Sequence, residues 1–149
     1  MWLMLIPIGL CLEACYHDCL RREIPDQVPI RVLVSGLLVT GLSWSAVNWI
    51  DATLGVLLGF VVVLPFAWND GVGGGDLKLV SALGAWLGPI PLLGALFWIA
   101  MSGLLMAIVS VIRGQTDFAY APAITAGLTI AVLFPQSLTS LIEGIRTWI

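Results

Sequence analysis

The chain has 149 residues, 60% of them hydrophobic and 10% charged, with a mean hydropathy of +1.05. Soluble domains carry about 25% charged residues, so this surface cannot be hidden inside one aqueous core and the bilayer is the expected solvent. The formal charge of −3 says little among so few charges, no basic run points to nucleic acid, and one His with three Cys, none spaced CxxC, speaks against a structural zinc site.

The first apolar span covers residues 2–18. No Lys or Arg precedes it, and Arg21 and Arg22 follow it. That is the reverse of a secretory leader, so the segment reads as a retained span. Cys11, Cys15 and Cys19 recur every four residues and share one helix stripe. They read as small residues packed between helices, with acylation or redox sensing near the membrane surface as the other reading. Asp18, seven residues after Cys11, lies about 20° away on the wheel. It faces inward, because a lipid-facing carboxylate is expensive, or it is an interfacial Asp neutralised by Arg22 at i+4. Glu13, four residues before His17, forms a polar pair along the helix or handles protons beside Asp18.

Five further spans follow, over residues 30–49, 52–68, 76–88, 91–112 and 122–134. All must be helical, since lipid offers no hydrogen-bond partner to a bare backbone. The expected fold is therefore an all-α membrane protein, a single-domain bundle of about six transmembrane helices over residues 1–149. Arg21, Arg22, Arg31, Lys78 and Arg113 fall on one side of it and Arg146 on the other. The positive-inside rule makes the first side cytoplasmic and places both termini outside. Trp2, Trp44, Trp49, Trp68, Trp86 and Trp148 sit near span ends, where indole is favoured; Trp98 is the exception.

In span three, Gly55 and Gly59 form a GxxxG pair that lets helices approach closely. Span four is short: from Asp76 to Gly88 a helix rises about 20 Å, less than the roughly 30 Å hydrocarbon core. Backbone at that depth needs protein or a wet cavity around it, and a wet cavity at Asp76 is expected. After Pro135, Leu138, Leu141, Ile142, Ile145 and Ile149 recur at helical spacing, which suggests an amphipathic C-terminal helix on the outer membrane surface.

The stretch "GVGGGDLKLV", residues 71–80, sets three glycines against Asp76. Glycine adopts backbone angles that other residues refuse and gives close access to whatever docks there. Asp76 then opens a helix, where the dipole favours a carboxylate; the plainer reading is an N-cap after a flexible loop. Lys78 reads as an interfacial, snorkelling side chain. Asp26, Asp70 and Asp117 in the predicted inner loops, and Asp51 in the outer turn, read as solvated or capping residues. A P-loop requires Gly-Lys-Ser/Thr after the glycines, a dinucleotide fingerprint requires a glycine where Asp76 stands, and a calcium loop requires alternating carboxylates; none is present.

Asp18 and Asp76 thus stand on different helices at the same depth. If they meet, the two cannot both ionise cheaply and share one proton. Such a pair can hydrolyse a peptide bond, one carboxylate activating water while the protonated partner hydrogen-bonds the carbonyl oxygen.

"GGGD", Gly73 to Asp76, resembles the GxGD signature of intramembrane aspartyl proteases, and "GGGDLKL" the prepilin peptidase version of it. "DCLRREIPD", from Asp18, resembles that family's aspartate followed by Ile-Pro, here Ile24 and Pro25, with Asp26 where the family usually has Asn. "FAYAPAI", around Pro122, resembles the proline-containing start of its last helix. The resemblance implies an aspartic endopeptidase of the bacterial inner membrane that removes leaders from prepilin or pseudopilin substrates at the cytoplasmic face, without cofactor or metal. It implies Asp18 and Asp76 as the catalytic pair, and Gly73, Gly74, Gly75, Lys78 and Pro122 as substrate-binding residues. Larger relatives carry an additional loop with paired CxxC motifs associated with N-methylation. About a dozen residues separate spans one and two here, which resembles the peptidase-only form serving tight-adherence (Flp-type) pili. A small proton-coupled transporter using the same two carboxylates is the alternative, and a non-catalytic assembly partner a third reading. Homo-oligomerisation is left open.

Overall fold

In the computed structural model, residues 2–68, 72–114 and 120–134 are described. A short 3-10 turn, Trp2–Met4, leads into α1 (Leu5–Arg21); then come α2 (Gln27–Gly41), α3 (Trp49–Trp68), α4 (Gly74–Leu87), α5 (Pro89–Ile112) and α6 (Ala121–Leu133). The six spans expected from the sequence are these six helices, and the fold is an all-α membrane bundle. The proposed amphipathic helix after Pro135 lies outside the described residues, as do Asp70 and Asp117.

Span two ends earlier than its apolar run suggested, at Gly41 rather than Trp49. Ser43 takes a positive φ of 56°, and Asn48 Oδ1 accepts the Asp51 N–H at 2.8 Å, which caps the start of α3. The α4–α5 junction is a single residue. Gly88 has φ 72° and ψ 177°, a region reserved for glycine, and Pro89 follows at the first position of α5, where no N–H is required.

Helix 4 is the centre of the bundle. Ten of its fourteen residues are buried, so it meets protein instead of lipid. A rise of about 21 Å is therefore no handicap, because its end groups need not reach both membrane surfaces. By contrast, the segment Trp2–Arg21 and helices α3 and α5 are each long and apolar enough to cross a membrane, and most of their surface is exposed. Leu54, Leu57 and Val61 on α3 and Leu104, Leu105 and Ile108 on α5 all face outward. Exposed apolar surface on this scale suits lipid and not water.

Small residues set how tightly α4 is held. The Gly55–Gly59 pair of α3 lies against α4: a Cβ on Gly55 would strike the Gly84 carbonyl, and one on Gly59 would stand 3.0 Å from Ser81 Cα. On the opposite side, Gly36 of α2 lies against the Trp86 indole, with a Cβ there only 2.8 Å from Cδ1. Trp86 is thus not an interfacial anchor, as its place near a span end suggested. It is 2% exposed, and its Nε1 donates to the Val32 carbonyl at 2.9 Å, which supplies the partner a buried indole needs.

Glu13 also differs from expectation. Its partner is Arg31 of α2, with Nη1 2.9 Å and 3.0 Å from the two carboxylate oxygens, and His17 packs its ring edge-on against Tyr16. Opposite full charges attract, and the arginine fork spans the gap between the two helices. The buried stripe of α1 is Pro7, Cys11, Ala14 and Asp18. The cysteine stripe shares it only at Cys11; Cys15 is half-buried and Cys19 exposed.

Gly84→Ala should drive α3 from α4 and lower stability by about 1–3 kcal/mol, whereas Gly9→Ala, where an added Cβ meets nothing within 4 Å, should not lower it. Thermal unfolding in detergent compares the two.

Candidate active site

The C-terminal end of α1 and the N-terminal ends of α4 and α6 meet at one end of the bundle. Asp18 lies in the last turn of α1 and Asp76 in the first turn of α4. Each is 7% exposed, and both line one cavity of about 240 Å3 together with Arg22, Glu23, Ile24 and the three glycines Gly73, Gly74 and Gly75. Two carboxylates from helices almost sixty residues apart are thereby placed in one polar recess of an otherwise apolar molecule.

Each aspartate has a different support. Asp18 Oδ2 accepts the backbone N–H of Ala121 at 2.9 Å. Ala121 opens α6, so its amide has no intrahelical acceptor, and the helix end favours an acidic group there. Four residues on, Thr125 Oγ1 donates to the Cys11 carbonyl at 3.1 Å, a second tie between α6 and α1. Arg22, offered by the sequence as a partner for Asp18, instead ends α1 in a left-handed conformation with φ 56°; no ion pair links it to Asp18 among the described residues. Asp76 has one oxygen, Oδ1, buried without a hydrogen-bond partner. The other, Oδ2, faces Gly73, where an added Cβ would lie 3.1 Å away.

The glycines act through size. None of Gly73, Gly74 and Gly75 has a positive φ, in contrast to Gly88 and Gly114, so the backbone freedom expected of the triplet is not used. Gly73 is extended at φ −64°, ψ 149°, and the helix begins at Gly74, two residues before Asp76. Gly75 is the position that requires the absence of a side chain: a Cβ there would lie 2.9 Å from Ile24 Cβ. That contact lays the loop of residues 22–26, which follows Asp18, directly on the helix turn that carries Asp76. The Ile-Pro that follows Asp18 in sequence is thus the clasp between the two halves of the recess.

Two residues expected at the site are elsewhere. Lys78 Nζ lies 2.7 Å from Asp26 Oδ1, an exposed ion pair between α4 and the start of α2. The pair borders a separate apolar groove lined by Pro29, Ile30, Leu33, Val56 and Phe60. Pro122 sits in the first turn of α6 and does not line the cavity; it fixes the helix start that frees the Ala121 amide. That amide, and the Ile24 contact, were not expected. A backbone donor leaves no mark in a sequence, although a proline one residue after it marks a helix start. Among the described residues, no three His, Cys, Asp or Glu side chains are grouped to hold a metal ion.

Comparison with known proteins gives a consistent result. The chain is 32% identical over 134 residues to the type 4 prepilin-like proteins leader peptide-processing enzyme of Escherichia coli O78:H11 (strain H10407 / ETEC), covering 85% of this chain and 49% of that protein. It is 34% identical over 142 residues to the prepilin leader peptidase/N-methyltransferase of Bacillus subtilis (strain 168), covering 89% of this chain and 56% of that one. With its counterpart in Neisseria gonorrhoeae it shares 30% over 128 residues, 81% of this chain and 44% of that protein. The chain thus spans about half the length of these curated relatives. No solved structure gives a significant match. The profile of the type IV leader peptidase family matches residues 5–111, a segment that contains both cavity aspartates and the glycine triplet, and the chain belongs to that family.

Proposed function

We infer that this chain is an aspartic endopeptidase that removes the leader from prepilin-like substrates within the membrane. The observation that carries the reading is the placement of Asp18 and Asp76, both buried and both lining one glycine-walled cavity. Membership of the leader peptidase family supports it.

The chemistry follows from two adjacent carboxyl groups holding one proton between them. The ionised carboxylate removes a proton from water as the water oxygen bonds to the scissile carbonyl carbon. The protonated carboxyl donates to the carbonyl oxygen as charge develops there. Collapse of the tetrahedral intermediate breaks the C–N bond, and the proton taken from water passes to the departing amine, so no covalent enzyme adduct forms. The open wall at Gly73 and Gly74, where no side chain projects, gives an extended peptide backbone access to Asp76.

The end of the bundle that carries the cavity also carries Arg21, Arg22, Lys78 and Arg113. By the positive-inside rule this end lies at the cytoplasmic face of the inner membrane, with the chain termini on the other side. A pilin-type substrate would present its leader there while its own apolar helix remains in lipid.

Asp18→Asn and Asp76→Asn should each reduce leader removal from a co-expressed prepilin by at least about 10²–10⁴-fold, the usual contribution of a positioned acid or base, with unchanged amounts of inserted protein. Intact-mass measurement of the pilin reads the loss of the leader, and normal processing by either variant would refute the pair.

The glycines should divide. Gly75→Ala forces Ile24 away and should impair cleavage through about 1–3 kcal/mol of overpacking. Gly74→Ala, with nothing within 4 Å of the new Cβ, should leave stability unchanged and slow cleavage only by narrowing the open wall. Thermal unfolding and processing time courses of the two variants side by side test this.

A further inference from the structure

The two aspartates differ in what their oxygens meet. Asp18 Oδ2 accepts the Ala121 N–H at 2.9 Å. Asp76 Oδ1 is buried with no hydrogen-bond partner among the described residues, and neither oxygen of Asp18 is in that condition. Asp76 Oδ2 faces Gly73 at the start of its own helix, so the contrast lies in the other oxygen. The two side chains are equally exposed, and burial alone does not separate them. A hydrogen bond donated to a carboxylate favours its charge, whereas a charged oxygen with no donor is costly. A single negative charge on the pair therefore belongs on Asp18.

The donor is held by the fold. Ala121 is the first residue of α6, where a backbone N–H has no intrahelical acceptor. Three contacts fix where that amide points. Ser102 Oγ of α5 donates to the Ala123 carbonyl at 2.8 Å, Thr125 Oγ1 donates to the Cys11 carbonyl of α1 at 3.1 Å, and Gly127 lies against the Ile99 backbone. Helix 6 carries no charged side chain from Ala121 to Leu133, so it steadies a carboxylate without offering a counter-ion. The charged groups around the pair come from elsewhere. Arg22 and Glu23 line the same cavity, and Arg22 makes no ion pair with Asp18 among the described residues. Cys15 stands near Asp18 on its own helix, and the Tyr120 phenol stands near Asp76.

We propose that the Ala121 amide is the positioning donor that makes Asp18 the ionised base of the pair, leaving the proton on Asp76. Water then gives a proton to Asp18 as its oxygen bonds to the scissile carbon, and Asp76 donates to the carbonyl oxygen from the enclosed helix. On collapse the C–N bond breaks, Asp18 passes its proton to the amine, and Asp76 takes one back from the diol, which restores the starting state. The family profile ends at residue 111, so this donor lies outside the matched segment. The proposal rests on the peptidase reading above.

Two measurements on full-length protein in membranes test it, with insertion and thermal unfolding as controls. In the first, Ala121 is replaced by its α-hydroxy acid, which makes the amide an ester and deletes that one N–H while keeping the side chain. The kcat/KM for leader cleavage is read against pH. A donor to the charged form lets the base ionise at lower pH. Its loss should move the acidic limb up by about 1–2 pH units, the size of one hydrogen bond to a charged group. The alkaline limb, set by the proton on Asp76, should stay nearly in place. An acidic limb that does not move would overturn the proposal. The second measurement does not need the ester protein. Infrared spectra at neutral pH follow the carbonyl stretch of a buried protonated carboxyl, which should persist in Asp18→Asn and vanish in Asp76→Asn. A band lost in Asp18→Asn, or kept in Asp76→Asn, would overturn it as well. A wild-type chain that cleaves no prepilin would sink the peptidase reading, while the infrared comparison would still decide which aspartate holds the proton.

Discussion

The arrangement of this site depends on one hydrogen bond, from the Ala121 amide to the Asp18 carboxyl. Helix 1 is mostly exposed on its outer faces, and no glycine seam holds it to α4 in the way α3 is held. Its end at the site is held to α6, by the Ala121 contact at one level and the Thr125–Cys11 contact a turn away, while the Arg31–Glu13 pair ties it to α2. A carboxyl group in an apolar bundle must find a donor or a cation. A helix N-terminus supplies the donor without adding charge, and so leaves Asp18 available to face Asp76. An arginine in the same place would pair with the carboxylate and compete with any water or peptide for its oxygens. The bundle uses its one inter-helix arginine–carboxylate pair among the described residues elsewhere, between Arg31 and Glu13.

Asp76 is held by the opposite strategy. The helix that carries it is the most enclosed of the described helices, fixed by glycine contacts to α3 and α2 that tolerate little sliding. One aspartate is therefore carried by a rigid core element, and the other by an outer helix tied to the core through polar contacts. Ile24 on Gly75 then closes the gap between them from the loop side. Under the proposed chemistry this asymmetry has a use. A rigid Asp76 defines where the scissile carbonyl must lie, and substrate can enter past the loop of residues 22–26 without disturbing the core.

Much of this was legible in the sequence, for identifiable reasons. Six spans follow from apolar runs broken by Gly, Pro and charge, and the basic residues put Asp18 and Asp76 at one end before any contact was known. GxxxG spacing in α3 correctly marked a close helix contact. What could not be read were the relations that depend on rotation and register between helices. A sequence displays neighbours on the same helix, which points Glu13 to His17, four residues on, whereas Arg31 becomes its partner only once α1 and α2 are packed. Trp86 sits near the end of an apolar run whether that run faces lipid or the core, so its burial could not be inferred from position. The glycine triplet shows a subtler limit. Glycine is required where φ is positive and also where a neighbour leaves no room, and the letter G does not say which. Here Ile24 decides it for Gly75.

Two cavities lie along the segment that carries Asp76, and Asp76 itself lines the first. On the glycine side the lining is polar, with Arg22 and Glu23 beside both aspartates. On the other it is apolar, from Val62, Val63, Leu96 and Ile99. A hydrolase in a membrane has two conflicting needs: water must reach the reacting carbon, and the charge that develops must sit where few other dipoles dilute the field of the catalytic groups. Under the proposed chemistry, a carboxyl that lines the polar recess while its helix is buried in the apolar core meets both. The glycine wall would then serve that chemistry, because a side chain there would narrow the recess that both aspartates line.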